Sequence, residues 1–293
     1  MTDTPNAAES NAGFNNPGFS DGDGGRSIAR YMGLTMREIG EVRPGTASLE
    51  GVAPAAHYLR TSDGSIAMGA LLTLADSVGG LCAGLAALPG WVVTTNLMMR
   101  GVGLDVVGPL GLESTVRRAG KKAVVTTVTV RDLGAHGALV ADGSLTSAVL
   151  QPENGPPNYA RPLVLAALPL DSTDTPGLPE FLGIRATAPN QLAIDITEPL
   201  RNPWGILHGG ATAALVDLAG VHARGDTTPE SVGTHATTDA VLHFVSPGRV
   251  GPVTATVVDH GERADGHLLR IEVRDTGAAD RLMALAVTTV RST

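Results

Sequence analysis

The sequence predicts a mixed α+β fold in which one unit, a long helix packed against an antiparallel sheet, occurs twice. The main observation is an internal repeat: residues 106–135 align with residues 249–278 at a constant offset, and both segments contain the tripeptides VGP and VRD. A second pair of similar segments, residues 64–80 and 205–221, lies upstream of these and predicts the helix of each copy. Each copy therefore predicts the order strand, helix, several strands.

The two upstream segments predict buried helices because they are apolar and rich in small residues. Asp76 is the only charged residue between Gly64 and Met99, and it aligns with Asp217 in the second segment. The first segment has the length of a membrane span, but a Leu-Pro-Gly break at 88–90 follows it. We expect a central buried helix in a protein that does not contact a membrane.

The segments after each helix predict long antiparallel strands. In residues 267–275, apolar and charged side chains alternate, which is the pattern of a strand with one buried face. Residues 123–132 and 252–261 are rich in β-branched side chains, and residues 143–150 and 281–290 end the two copies with similar patterns.

The repeat also gives the expected domain boundaries. Residues 1–25 are rich in Gly, Asn and Asp and predict a disordered tail. Residues 26–150 form the first unit and residues 163–293 the second, joined by a linker at 151–162 that is rich in Pro, Gly and Asn.

Composition excludes several classes of protein. The chain of 293 residues is 43% hydrophobic and has a formal net charge of -8, which argues against a general nucleic-acid-binding protein. Cys82 is the only cysteine, so neither a disulfide within the chain nor a cysteine-based metal site is expected, and a reducing cytoplasmic setting fits. The histidines show no metal-ligand spacing, and we expect no bound metal.

The most informative motif lies at the start of the second predicted helix. It reads Asn-x-x-Gly-x-x-His-Gly-Gly from Asn202 to Gly210, and Asp217 follows nine residues after His208. Together with the order of strands and helix, this motif resembles the hotdog-fold acyl-CoA thioesterases, in the branch that includes phenylacetate-pathway and 4-hydroxybenzoyl-CoA thioesterases. The resemblance covers residues 28–293 as a tandem double hotdog that forms an intramolecular pseudo-dimer. The first copy matches in pattern but lacks the Asn and the His.

The resemblance implies hydrolysis of an acyl-CoA thioester without any cofactor other than the coenzyme A of the substrate. The amides at the start of a helix are natural donors to a developing oxyanion, and here the amide of Gly209 comes first. Asn202 and His208 can orient the carbonyl or the base, and Gly210 lets substrate approach the backbone. A carboxylate in the apolar helix can act as a general base or as a nucleophile, and both roles stay open.

Helix geometry predicts which carboxylate works with Gly209. Gly209 and Asp217 are eight residues apart on one helix, or about 12 Å, which is too far for both to reach one thioester carbon. In the resembling family, each site takes its glycine amide from one hotdog unit and its carboxylate from the partner. We therefore expect Asp76 to act with Asn202, His208 and Gly209, and Thr94 aligns with a hydroxyl residue that holds the water in that family.

The repeat also predicts a second, mirror site. That site would combine Asp217 and Thr237 with the residues that replace the motif in the first copy, namely Thr61, Ala67 and Met68. Because the Asn and the His are lost there, we expect the mirror site to be weak or inactive, with Asp217 a remnant or a structural hydrogen-bond acceptor.

Two further predictions concern substrate binding. The basic cluster of residues 117–122 is either a solvated hairpin turn or a clamp for the phosphates of coenzyme A, formed by Arg117, Arg118, Lys121 and Lys122. Four apolar residues are candidates for lining the acyl tunnel: Ala70, Leu74, Met98 and Ala213.

Two other functions compete with thioester hydrolysis. A hotdog enoyl-CoA hydratase would use an Asp–His or His–Glu pair on different elements, and a non-catalytic module would bind acyl-CoA without turnover. The chain is expected to form a homodimer of double hotdogs.

Overall fold

The computed structural model describes residues 27–152, 155–156, 164–165, 174–225 and 235–292. The predicted N-terminal tail and most of the predicted linker lie outside the described residues.

Both halves of the chain follow the predicted order of elements. The first half contains α1 (Ile28–Tyr31), β1 (Thr35–Glu38), β2 (Ser48–Ala53), α2 (Met68–Ala87), β3 (Trp91–Gly101), β4 (Leu110–Ala119), β5 (Ala123–Asp132) and β6 (Ala138–Leu150). The second half contains β7 (Val164–Leu165), α3 (Leu178–Leu182), β8 (Arg185–Ala188), β9 (Gln191–Ile194), α4 (Gly209–Arg224), β10 (His235–Phe244), β11 (Val253–Arg263), β12 (Gly266–Asp275) and β13 (Arg281–Ser292).

All strands of the described residues belong to one sheet of 13 strands, in the order β7-β1-β2-β4-β5-β6-β3-β10-β13-β12-β11-β9-β8. The order is nearly palindromic about the antiparallel pair β3 and β10, in which Val241 lies opposite Met98. The backbone hydrogen bonds of this pair join the sheets of the two halves. At one outer edge, β7 pairs with β1, so residues 164–165 extend the sheet of the first half.

The recurrence of VGP and VRD has a direct structural cause. The carboxylate of Asp132 accepts hydrogen bonds from the amides of Val107 and Gly108 at 2.7 and 2.8 Å, and Asp275 binds the corresponding amides around Val250 at 2.9–3.0 Å. Burial alone would raise the pKa of both carboxyl groups. The amide donors outweigh this effect, so the pKa of each group lies below its usual value. VGP and VRD recur together because the aspartate of VRD binds the backbone amides of VGP in each half.

Helices α2 and α4 pack against each other and against the sheet. Gly69 of α2 lies near Ala214 and Asp217 of α4, and Gly210 lies near Thr73 and Asp76, so the helices run antiparallel. Helix α2 is long and apolar enough to cross a membrane, but 83% of its most apolar window is buried inside the protein. As predicted, it is a central core helix.

Candidate active site

The motif that begins at Asn202 opens helix α4. The helix starts at Gly209, and His208 is its N-cap residue, with the imidazole Nδ1 accepting the amide hydrogen of Gly210 at 2.9 Å. The amide of Gly209 is the first of the helix and has no partner within it.

Asp76 of α2 lies directly against this helix terminus. Its Oδ2 accepts the amide hydrogen of Gly210 at 2.9 Å and lies 3.2 Å from Nδ1 of His208. A Cβ atom added at Gly209 would lie only 2.8 Å from the same oxygen, so glycine is needed where the carboxylate meets the backbone. The structure thus brings together Asp76, His208 and Gly209, as predicted, from two different helices.

Thr94 holds the other oxygen of Asp76. Its hydroxyl donates a hydrogen bond to Oδ1 at 2.8 Å. The register between β3 and β6 shifts between Thr94 and Asn96, and an equivalent irregularity follows Thr237 in β10. Such irregularities redirect side chains near active sites, and this one occurs beside the threonine in both halves.

Gly210 lies between the two helices. It is buried and is not among the residues that line the cavity beside Asp76. A Cβ atom at Gly210 would lie 2.8 Å from Cα of Thr73, so this glycine allows the two helices to approach closely. Its amide fixes the position of Asp76 instead of meeting substrate.

Asn202 shapes the loop before α4. Its Oδ1 accepts the amide hydrogens of Trp204 at 2.9 Å and Ile206 at 3.4 Å, which closes the turn that leads to His208. The indole nitrogen of Trp204 donates to the backbone carbonyl of Val92 in β3 at 2.9 Å, so the loop is bound to the first half of the chain. Asn202 also lines the cavity, but its side-chain oxygen is already used by the turn.

A cavity of about 380 Å³ opens at this point. Five of the predicted site residues line it: Asp76, Thr94, Asn202, His208 and Gly209. Sequence reasoning missed several other lining residues, among them Gly80, Leu81, Trp91, Trp204 and Arg249. The chain has only two tryptophans, and both line this cavity, which is a signal that the sequence alone contained.

The four predicted tunnel residues lie away from this cavity. Ala70, Leu74 and Ala213 are fully buried in the core, and neither they nor Met98 line the cavity. Ala70, Leu74 and Ala213 belong to the hydrophobic core, and Met98 is half-buried in β3. The cavity lies on the side of α2 that carries Asp76 and Gly80.

The basic cluster does not line the cavity either. It forms the end of the hairpin between β4 and β5, where Nε of Arg117 donates to the Thr127 hydroxyl at 2.9 Å. The backbone carbonyl of Lys122 accepts the amide hydrogen of Val149 at 2.9 Å, next to Leu150, which does line the cavity. The role of this cluster, Arg117, Arg118, Lys121 and Lys122, in binding the phosphates of coenzyme A stays a prediction.

The mirror site has the same core geometry with different surroundings. Oδ2 of Asp217 accepts the amide hydrogen of Gly69 at 2.7 Å, as Asp76 accepts that of Gly210. Burial raises the pKa of Asp217, with the Gly69 amide opposing this shift. Met68, almost fully buried, stands where the second half has Gly209, and Ala67 caps α2 without a side-chain bond.

The described residues contain no group of three or more His, Cys, Asp or Glu side chains that could hold a metal ion. Cys82 is buried, and burial raises its thiol pKa to about 11. It lies in the hydrophobic core.

Comparison with known proteins gives a fold but no close relative. No protein-family model and no curated protein matches the chain. Among solved structures, the tesB protein of Mycobacterium avium subspecies paratuberculosis is similar with a TM-score of 0.55 at 11% identity, over 83% of this chain and 92% of that one. The 12:0-ACP thioesterase of Umbellularia californica gives a TM-score of 0.53 at 13% identity, over 84% and 94% of the two chains.

A third similar structure is a conserved protein of unknown function with a hotdog fold from Alicyclobacillus acidocaldarius, with a TM-score of 0.51 at 12% identity over 83% and 93% of the two chains. These matches cover most of the chain. Together with two long helices packed against a large antiparallel sheet, they show that this chain has the hotdog fold and belongs to the α+β class, as predicted.

The geometry beside Asp76 suits attack on a polarised carbonyl. Both carboxylate oxygens have one donor each, Thr94 and the Gly210 amide, and keep a lone pair for a water molecule. The first amide of α4 and the positive end of its dipole lie within the same cavity wall.

Proposed function

We propose that this protein is an acyl-CoA thioesterase built as a double hotdog, in which one site per chain is active. The observation that carries the proposal is the contact between Asp76 of α2 and the N-terminus of α4, beside an open cavity. A carboxylate, a free helix-terminal amide and a cavity are the parts that hydrolysis of a thioester requires. The similar thioesterase structures support the hotdog fold, in which we propose that this reaction takes place.

In the proposed reaction, Asp76 takes a proton from a water molecule held between its carboxylate and the Thr94 hydroxyl. The water oxygen forms a bond to the thioester carbon, and the carbonyl oxygen becomes an oxyanion that accepts the amide hydrogen of Gly209. The tetrahedral intermediate then collapses, the carbon–sulfur bond breaks, and the coenzyme A thiolate takes up the proton. The products are a carboxylic acid and free coenzyme A.

A second course of the same reaction uses Asp76 as the nucleophile. The carboxylate would attack the thioester carbon to give a mixed anhydride and release the thiol, and water would then hydrolyse the anhydride at the Asp76 carbonyl. Hydrolysis in H₂¹⁸O separates the two courses. The nucleophilic course places ¹⁸O in the Asp76 carboxylate in the first turnover, whereas the general-base course places it in the acid product and leaves the enzyme unlabelled.

The test of the function is hydrolysis of a panel of short, long and aromatic acyl-CoA thioesters by wild type, Asp76→Asn and Asp217→Asn, with free thiol as the readout. We expect Asp76→Asn to lose at least about 100-fold in kcat, while Asp217→Asn stays near wild type. If Asp217→Asn is the inactive variant, the pairing of the halves is wrong. If wild type binds the thioesters without releasing thiol, the protein is an acyl-CoA-binding module.

One observation favours a hotdog hydratase as the second candidate. Asp76 and His208 lie on different elements with 3.2 Å between Oδ2 and Nδ1, and an Asp–His pair of this kind is the pattern expected of that class. Incubation with crotonyl-CoA decides between the two reactions. Hydration removes the enoyl absorbance without releasing thiol, whereas hydrolysis releases thiol in equal amount to the substrate consumed.

We further propose that the basic hairpin of residues 117–122 binds the phosphates of coenzyme A, and that two chains associate into a homodimer. The position of the hairpin beside Leu150 supports the first proposal. Replacing Lys121 and Lys122 with Ala should raise KM for acyl-CoA and leave KM for a thioester of the short N-acetylcysteamine carrier unchanged. Sedimentation measurements test the dimer.

A further inference from the structure

The cavity extends from Asp76 along one side of helix α2. Ser77, Gly80 and Leu81 line it together with Asp76, and residues at these spacings share one face of a helix. A thioester carbonyl placed at Asp76 and Gly209 would therefore have room for its acyl group beside Gly80, one turn further along α2.

The space beside Gly80 is empty, unlike the space beside neighbouring glycines of the same helix. A Cβ atom added at Gly80 would have no non-neighbouring atom within 4 Å. By contrast, a Cβ atom at Gly79 would lie 2.7 Å from the Leu145 side chain, and one at Gly84 would lie 2.6 Å from the Trp91 ring. Gly79 and Gly84 allow tight packing, whereas Gly80 leaves room for a ligand.

The indole of Trp91 bounds the cavity in this direction. The ring of Trp91 covers Gly84, and Gly84 itself does not line the cavity. The axial distance from Asp76 to Gly84 is roughly 12 Å, so the acyl group has less than that length before it meets the indole. Leu81 and Met36, which are apolar and buried, also line the cavity.

The second half of the chain differs at the equivalent position. Alignment of α2 with α4 places Val221 opposite Gly80. The half that supplies Asp76 therefore has open space where the other half has a branched side chain, and a valine at this position is compatible with the helix.

We infer that Gly80 and Trp91 determine the acyl specificity of the site, which takes compact apolar acyl groups, short chains or single rings, and excludes long linear chains. This inference rests on the proposed function, because it assumes that the thioester carbonyl lies between Asp76 and Gly209.

The experiment compares kcat/KM for acetyl-, hexanoyl-, benzoyl- and palmitoyl-CoA. Wild type should prefer hexanoyl- and benzoyl-CoA over palmitoyl-CoA. Gly80→Val should lose about ten-fold or more on hexanoyl- and benzoyl-CoA and less than about three-fold on acetyl-CoA. Gly80→Ala should show the same direction with a smaller effect, and Val221→Ala, the matched control in α4, should keep the wild-type profile.

Two results would overturn the inference: palmitoyl-CoA hydrolysed by wild type as well as hexanoyl-CoA, or an equal loss on all four substrates in folded Gly80→Val and Gly80→Ala. If wild type hydrolyses none of them, the proposed function fails separately. Calorimetric binding of the same thioesters then tests the pocket, since selective weakening of hexanoyl-CoA in Gly80→Val supports it and equal affinities refute it.

Discussion

Asp76 and Asp217 occupy equivalent positions in two antiparallel helices. Each carboxylate accepts the amide hydrogen of the glycine that is the second residue of the other helix. The distances are 2.9 Å from Gly210 to Asp76 and 2.7 Å from Gly69 to Asp217. The two contacts are related by the approximate symmetry of the repeat, so the difference between the sites lies in what surrounds them.

The two sites differ in the residue that precedes Gly210 in one and Gly69 in the other. Gly209 precedes Gly210 and lines the cavity, whereas Met68 precedes Gly69 and is buried in the core. A glycine amide in the cavity wall can meet a substrate oxygen, whereas the buried methionine side chain fills the equivalent space in the other site. The same carboxylate contact is thus combined with a cavity in one site and with core packing in the other.

The Thr94 hydroxyl should be needed for activity, because it fixes Oδ1 of Asp76. A hydrogen bond to a charged group contributes about 1.5–3 kcal/mol, so Thr94→Val should lower kcat/KM by roughly 10- to 100-fold. Thr94→Ser keeps the hydroxyl and should retain most activity. Steady-state hydrolysis with thiol detection measures both variants.

Thr237→Val is the matched control, because Thr237 is the equivalent residue of the second half. We expect it to keep wild-type activity, since in the proposed mechanism only the site at Asp76 acts on substrate. Equal losses in Thr94→Val and Thr237→Val would show that both threonines act on the sheet instead of on one active site.

Asp217 should make the protein less stable as the pH rises. Burial raises its pKa in the folded state, so between the unfolded value of about 4 and the folded value the native protein binds more protons than the unfolded chain. Its stabilising contribution is complete below the unfolded pKa and is lost as pH rises through the folded pKa. Asp217→Asn removes this titration, so the free energy of unfolding of the variant relative to wild type should increase as the pH rises above the unfolded pKa of about 4.

Urea denaturation at several pH values across this range measures the effect. A difference between the two proteins that stays constant with pH would mean that Asp217 titrates normally. The activity of Asp217→Asn at neutral pH serves as the check that the variant is correctly folded.

The repeat and the start of α4 were readable from the sequence because they depend on local patterns. Helix geometry excluded Asp217 as the partner of Gly209, since eight residues along α4 separate the two by too great a distance, and the resemblance to the hotdog family implied Asp76 in its place. The sequence could not show which side of α2 faces the cavity. Ala70 and Gly80 look equally suitable as lining residues in the printed sequence, but only the packing of α2 shows that Ala70 faces the core and Gly80 the cavity.

The role of Gly210 was missed for a similar reason. A glycine pair at a helix start suggests access for substrate, but the closeness of Gly210 to Thr73 exists only once α2 and α4 are packed. The tryptophans illustrate the opposite case. In a chain with 3% aromatic residues, both tryptophans occupy the cavity wall, and their rarity is a property of the amino-acid sequence itself.

The position of both tryptophans predicts a direct signal for ligand binding. Trp91 and Trp204 line the cavity, so a bound acyl-CoA should change the intrinsic tryptophan fluorescence in a saturable way. Trp204→Phe should lose part of the change and, because the bond to the Val92 carbonyl is lost, should also weaken binding by about 1 kcal/mol. A fluorescence titration with a non-hydrolysable thioether analogue measures both effects, and an unchanged spectrum at saturating ligand would place the ligand elsewhere.

Two glycine-to-alanine changes in α2 should have opposite effects on stability. Gly80→Ala places its Cβ atom in open space and removes flexibility from the unfolded chain, so it should raise the free energy of unfolding by about 0.4–1 kcal/mol. Gly84→Ala gains the same backbone benefit but pushes its methyl group to 2.6 Å from the rigid Trp91 ring. Overpacking of this kind typically costs about 1–3 kcal/mol, so a net loss of stability is expected. Urea denaturation of the two variants beside wild type measures the difference, and a stabilised Gly84→Ala would show that Trp91 moves easily and does not close the cavity.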